Sequence, residues 1–252
     1  MRVSVSIGGL DPTGGAGILA DAKTAWHHEF HAAGIVTALT AQGDKGVTWW
    51  EPVAPAHVVE QLEAVLFGSP VAAVKVGMVG NAGLVEPLVR TLKRSTQVPL
   101  VYDPVLAAST GERLYGEDLA SLMPLLRLAT LVTPNIAEVE ELTGLTVESV
   151  AGAHAAAKAL REAGAKAVLI KGGHLSGPPI DVLYDGIQFY EFTGERIEVM
   201  NVRGTGCALS TAIACRLGLG AQLPEAVSAA KAYLAERMRH TYHMGGRNRY
   251  LP

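Results

Sequence analysis

Several things are scarce in this chain. It has two cysteines in 252 residues, Cys207 and Cys215. Their spacing fits neither a zinc motif nor a redox motif, and so small a number makes no disulfide framework. On one helix they would lie about two turns apart, too far to bridge, and Cys215 reads as a small buried hydrophobe. Charged residues are 18% of the chain and aromatics 6%, the first far below what a disordered segment carries. Net charge is −3, which offers no field to attract nucleic acid or an anionic membrane. No apolar run approaches the ~20 residues that span a bilayer. Met1-Arg2-Val3-Ser4-Val5 is a short strand pattern without the apolar stretch or cleavage site of a secretory leader, so a cytoplasmic location is expected.

What is abundant is apolar residues, 49%, and glycine, 28 residues. Short β-branched runs alternate with helical spacing. Strands are expected at Arg2–Ile7, Ile35–Leu39, Ala72–Val76, Leu100–Tyr102, Thr130–Val132 and Ala167–Ile170. Helices are expected at Gly15–His28, His57–Phe67, Ala82–Arg94, Ile136–Thr143, Ala151–Ala163, Pro224–Arg239 and from about Ala208 to Leu217. Asp181–Tyr184 and Gln188–Phe192, joined by Asp185-Gly186, read as a hairpin. This alternation indicates βαβ units and a mostly parallel sheet, with the hairpin as an antiparallel edge. No linker, repeat or low-complexity segment divides the chain, so one domain over residues 1–252 is expected, with a loosely ordered tail at His240–Pro252.

In open α/β sheets ligands sit beyond the carboxyl ends of the strands. Gly8-Gly9-Leu10-Asp11-Pro12-Thr13-Gly14-Gly15-Ala16-Gly17 follows the first strand, with Asp21 beyond it; so much glycine lets backbone approach a ligand closely. It matches neither G-x-G-x-x-G nor a P-loop. Gln42 can bond a heterocycle edge with its amide, or be a solvated loop residue. Met78 can cover a flat ring, or be plain core. Asp103 and Glu138, at neighbouring strand ends, are oxygen ligands suited to Mg²⁺, although Asn135 and Glu138 equally suit a capped helix start. Lys171, in Lys171-Gly172-Gly173-His174, is either a phosphate contact or one half of a Lys–Asp pair. Gly204-Thr205-Gly206-Cys207 opens a long small-residue helix; its backbone N–H groups and helix dipole make a cradle for anions, and a helix N-terminus lowers a thiol's pKa. Together these are the parts of phosphoryl transfer.

In order and over nearly the whole length, the segments 9–21, 37–42, 75–78, 103–105, 133–138, 171–174, 204–207 and 229–234 resemble the ribokinase-like superfamily, and within it the hydroxymethylpyrimidine/phosphomethylpyrimidine kinases. The resemblance implies a three-layer sandwich with helices on both faces of a mostly parallel sheet, ATP and Mg²⁺, and a homodimer. It implies two phosphorylations, of 4-amino-5-hydroxymethyl-2-methylpyrimidine and of its monophosphate. Gly9, Asp21, Gln42, Met78 and Val105 would form the pyrimidine pocket. Asn135, Lys171, Arg203 and Lys231 would serve ATP, and Asp103 and Glu138 would hold Mg²⁺ through water. Gly204, Thr205, Gly206, Cys207 and Lys171 would carry catalysis, Cys207 standing where many sugar kinases of the superfamily have a basic Asp.

The chain departs from that pattern at Asn201-Val202-Arg203, where the family usually has Thr-His before the glycine, and at Met244–Asn248, which matches the family's tail faintly. A pyridoxal or pyridoxine kinase is the neighbouring alternative. A non-catalytic nucleotide or vitamin sensor is a more distant one, opposed by the set of acids, lysine and anion cradle. A dinucleotide dehydrogenase is disfavoured by the glycine spacing.

Overall fold

The computed structural model describes residues 1–95, 97–173 and 178–252; His174 lies outside them. A nine-stranded sheet runs in the order β3-β2-β1-β4-β5-β6-β7-β8-β9, where β1 is Val3–Leu10, β2 His31–Gly43, β3 Gly46–Pro52, β4 Val71–Val76, β5 Leu100–Tyr102, β6 Leu131–Val132, β7 Val168–Ile170, β8 Ile180–Tyr184 and β9 Phe189–Thr193. From β2 to β7 all pairings are parallel. Both edges are antiparallel hairpins, β2–β3 and β8–β9, the latter also antiparallel to β7.

Side chains alternate along each strand, and the alternation sorts the core into two halves. Val74 and Val76, Leu100 and Tyr102, Val132, Val168 and Ile170 face one cluster. It is filled from α2 (Pro55–Leu66), α3 (Ala82–Ser95), α4 (Met123–Leu128), α5 (Ile136–Thr143) and α6 (Val150–Glu162). Ala73, Val101, Leu131 and Leu169 face the other, filled from α1 (Gly17–His27), α7 (Thr205–Gly218) and α8 (Leu223–Arg239). This is the expected sandwich. Among the described residues no helix is long and apolar enough to cross a membrane.

The local causes are ordinary ones. Asn135 and Glu138 close a reciprocal capping box at the start of α5, and Gly144 ends that helix at φ 71, a conformation costly for residues with a Cβ. Ser149 caps α6.

Four expectations are corrected. First, α7 begins at Thr205, three residues before the expected Ala208, with Gly204 as its N-cap at φ 72; Thr205, Gly206 and Cys207 form its first turn. Second, β2 continues through Gly43, so Gln42 lies within a strand. Its partner β3, rich in the β-formers Val47, Thr48, Trp49 and Trp50, was not expected. Third, Gly8 and Gly9 belong to β1, at a register shift against β2. Fourth, the tail is tied down: Tyr242–His243 pairs with Arg249–Tyr250, Tyr250 and Asn248 are buried, and Arg249 bonds the backbone of Asn201 and Arg203.

Candidate active site

The first turn of α7 sits between two groups of side chains. Gly204 adopts φ 72, and a Cβ there would lie 2.1 Å from the Gly15 carbonyl oxygen. The glycine-rich loop and the α7 N-terminus therefore touch backbone to backbone, which only a residue without a Cβ allows. At Gly206 a Cβ would stand 3.3 Å from Lys171 Nζ and 3.9 Å from Asp103 Oδ2.

Strands β5, β6 and β7 lie side by side and end together, which brings Asp103, Glu138 and Lys171 into one cluster. Lys171 Nζ donates to Asp103 Oδ1 at 2.6 Å and lies 3.9 Å from Glu138 Oε2. Ser210, on α7, donates to the other Asp103 oxygen at 3.2 Å, and Thr133 donates to Oδ1 at 3.3 Å. Asn135 lies beside Lys171, whose backbone N–H reaches the Pro134 carbonyl. The Asn135 side chain accepts from the Glu138 N–H at 2.9 Å, so the capped-helix reading holds for it. Lys231 is further along: it donates to Asp181 Oδ2 at 2.7 Å, while Asp181 Oδ1 accepts from the Gly172 N–H. Lys231 thus braces the loop that follows Lys171.

The second group lies toward β1 and β2. A Cβ on Gly9 would meet Met78 Sδ at 2.8 Å, so these two are in contact. Met78 packs with Ala38 and Leu114, and Val105, Val47 and Trp50 border them. Gln42 faces the same end: its Oε1 accepts from Arg203 Nη2 at 2.5 Å and its Nε2 donates to Thr40 Oγ1 at 3.1 Å. Arg203 is buried and also pairs with Asp11 at 3.3 Å. Asp21 lies below both groups, within electrostatic reach of Cys207 and Asp103. It stands on α1 and is fully buried against α7, gripped by Lys75 Nζ at 2.9 and 3.1 Å and by Thr211 Oγ1 at 2.8 Å.

Electrostatics follow from this packing. Burial opposes the charge on Lys75, but Asp21, Cys207 and Asp103 outweigh it and hold the ammonium above its usual range. Burial likewise opposes the Asp103 carboxylate, and Lys171 and Lys75 overcome it, holding that carboxyl below its usual range. Lys171 is raised, burial being outweighed by Asp103 and Glu138. Glu138 is pushed up to about 7, chiefly by burial. The Cys207 thiol is pushed up to about 11, again chiefly by burial, with Asp21 and Asp103 adding to it. The helix N-terminus was expected to lower this thiol; desolvation and two nearby carboxylates win instead, and Cys207 is neutral at pH 7.

Lys75, Asp11, Ser210, Leu114 and Trp50 were not expected at the site. Lys75 and Asp11 stand as charged residues inside the β4 and glycine-rich motifs; Ser210 is three residues past Cys207, where a helix starting at Thr205 turns it back toward Asp103. Leu114 and Trp50 gave no signal apart from the unrecognised strand β3.

A doubly covered, mostly parallel sheet with a glycine-opened helix N-terminus beside a lysine set between two carboxylates has the architecture of the ribokinase-like α/β class. The phosphomethylpyrimidine kinase family profile matches residues 11–251. A hydroxymethylpyrimidine/phosphomethylpyrimidine kinase of Rhizobium meliloti is 43% identical over 92% of this chain and 88% of its own. A thiamine biosynthesis bifunctional protein of Geobacter sulfurreducens is 39% identical over 96% of this chain, which spans 50% of that longer protein. The crystal structure of phosphomethylpyrimidine kinase from Clostridium difficile superposes with TM-score 0.82 at 35% identity, covering 94% of this chain and 99% of that one. An ADP complex of Bacillus subtilis pyridoxal kinase superposes with TM-score 0.90 at 29% identity, covering 100% and 97%. The chain belongs to the phosphomethylpyrimidine kinase family.

Proposed function

We propose that this single-domain chain transfers the γ-phosphate of ATP to the hydroxymethyl group of 4-amino-5-hydroxymethyl-2-methylpyrimidine, and then phosphorylates the resulting monophosphate. The observation that carries this reading is the placement of the α7 first turn, with Lys171 and Asp103 at Gly206 on one side and the Gly9–Met78 contact and Gln42 on the other. Phosphoryl transfer proceeds through a loose transition state, and catalysis is mostly positioning and charge neutralisation. Backbone N–H groups of Gly204 to Cys207 receive the migrating phosphoryl group. Lys171 shifts from Asp103 toward its oxygens, and Asn135 and Lys231 order the loops on the ATP side.

Asp103 and Glu138 are the two carboxylates offered to a divalent cation, and no larger cluster of His, Cys, Asp or Glu exists among the described residues. That donor set fits Mg²⁺ held through waters and substrate phosphates; when bound it would neutralise charge on the phosphates. Gly9, Met78 and Val105 hold the ring, Gln42 reads its edge, and Asp21 supports the pocket from beneath through Lys75. Cys207 takes the hydroxyl proton. With the thiol near 11, only its small thiolate fraction acts at pH 7, so this help is modest and the loose transition state carries most of the reaction. We further read the protein as a cytoplasmic homodimer that binds no nucleic acid.

The likeness to pyridoxal kinase structures favours pyridoxal or pyridoxine as a second substrate class. A coupled ADP-release assay over the pyrimidine alcohol, its monophosphate and pyridoxine, with products identified by mass, separates the readings. ADP release with both pyrimidines is expected. Turnover of pyridoxine alone would replace the first reading by the second, and tight binding without turnover would leave a sensor.

A further inference from the structure

Arg203 stands where the sequence departs from its family, and its side chain does not face the ATP side. Its guanidinium is buried and bonds Gln42 Oε1 at 2.5 Å and Asp11 Oδ2 at 3.3 Å. Asp11 is itself fixed, accepting from the backbone N–H and hydroxyl of Thr13 at 2.9 and 2.8 Å. The Arg203 backbone is fixed too: its N–H donates to the Arg249 carbonyl, and the Arg249 N–H returns to Asn201. The tail's Asn248 side chain ties in the Gly43 carbonyl, one residue from Gln42.

A guanidinium has donors and no acceptor. Placed against one end of the Gln42 amide, it dictates that this end is the oxygen, because a flipped amide would set N–H against N–H. The opposite end donates to Thr40 Oγ1 at 3.1 Å, and the Thr40 hydroxyl donates its own hydrogen to the Leu10 carbonyl at 2.8 Å. Thr40 can therefore only accept from Gln42. Both neighbours demand the same orientation. One oxygen lone pair and one N–H of the amide remain, in a fixed order.

An aminopyrimidine edge offers an exocyclic amino donor beside a ring-nitrogen acceptor, which is the complement of that remaining pair. A pyridine alcohol carries no such amino group. We propose that Arg203 is a specificity-determining positioning residue: by locking the orientation of the Gln42 amide it selects a ring with an amino donor beside a ring nitrogen over a hydroxylated pyridine. The inference rests on the pyrimidine kinase reading above. It assigns Arg203 to the ring side in place of the ATP side.

The test compares kcat and KM for the aminopyrimidine alcohol and for pyridoxal in the wild type, Arg203→Met and Arg203→Lys. Loss of one oriented hydrogen bond should raise KM for the aminopyrimidine about tenfold in Arg203→Met. Any structural loss in the same variant acts on both rings alike, so the ratio of kcat/KM for the aminopyrimidine to that for pyridoxal should fall about tenfold. Arg203→Lys keeps a donor and should recover part of the loss; it also serves as the informative variant if Arg203→Met does not fold. Equal losses on both rings, or an unchanged ratio of the two, would overturn the proposal and leave Arg203 a structural residue. A wild type that does not phosphorylate the aminopyrimidine would refute the underlying reading instead, and the proposal with it. Wild-type turnover with an unaltered ratio in the variants refutes the proposal alone.

Discussion

Replacing Gly204 by alanine tests how tightly the proposed anion cradle is built. Two costs apply. The residue sits at φ 72, and the left-handed region costs a residue with a Cβ about 1–2 kcal/mol. For a chain of this size that is a Tm lower by about 2–8 °C. The new Cβ would also stand 2.1 Å from the Gly15 carbonyl oxygen and 3.2 Å from its carbon, both backbone atoms that no rotamer change can move aside. Restoring contact distance needs roughly 1 Å of movement between the α7 N-terminus and the glycine-rich loop. A displacement of that size in a positioning catalyst costs about 10²-fold in kcat. Gly220, just past the α7 C-terminus, is the internal control: it has φ 92, and a Cβ there meets nothing within 4 Å. Gly220→Ala should lower Tm by a similar strain term and leave kcat alone. Thermal unfolding and a coupled ADP assay on both variants decide the matter. A Gly204→Ala enzyme with wild-type kcat would refute the claim that this contact sets the cradle.

Glu138→Gln keeps the capping box and removes the titration. The wild-type carboxyl, raised from 4.5 to about 7 mainly by burial, contributes stability in full below pH 4.5 and loses it as pH rises through 7; the variant should lack that decline in denaturant titrations. The carboxylate form that would face Mg²⁺ grows over the same range, so the Mg²⁺ needed for half-maximal wild-type rate should fall by up to about tenfold per pH unit below 7, and the variant should show no such slope. Lys75→Met strands the buried Asp21 carboxylate with Thr211 alone, and loss of one partner from a buried pair costs about 3–5 kcal/mol; a change under 1 kcal/mol on urea unfolding, roughly the value of an exposed pair, would contradict that account. Cys207→Ala should slow turnover by about tenfold or less, because so little thiolate is present at pH 7 and a loose transition state needs little base help, and wild-type turnover would remove the base role.

The β5–β6–β7 end of the sheet was legible in the sequence. Asp103 and Lys171 each follow a short, wholly apolar run, and Glu138 lies in the first turn of the helix that leaves β6, so adjacent parallel strands bring the three together. The β1–β2 end was less legible. β2 and β3 share a partly exposed hairpin whose burial pattern is irregular, so Gln42 read as loop. The state of Cys207 was not legible, because a motif shows the helix N-terminus but not the desolvation that outweighs it. Arg203 and the tail could be read only after contacts more than 150 residues apart in sequence were known, such as Arg203 with Gln42 at a separation of 161.

The two sides of the site meet at the first turn of α7, and that has a consequence for how the protein can diverge. On the proposed reading, the residues that would read the ring are held by the β2–β3 hairpin, the Asp11 loop and the tail, whereas those that would handle phosphate are held by β5, β6 and β7. Substitutions in the hairpin or tail can therefore exchange one heterocycle for another while the phosphate machinery stays intact. A shift of α7 itself disturbs both sides at once. On that division, ring preference is the half of this scaffold that can be adjusted on its own.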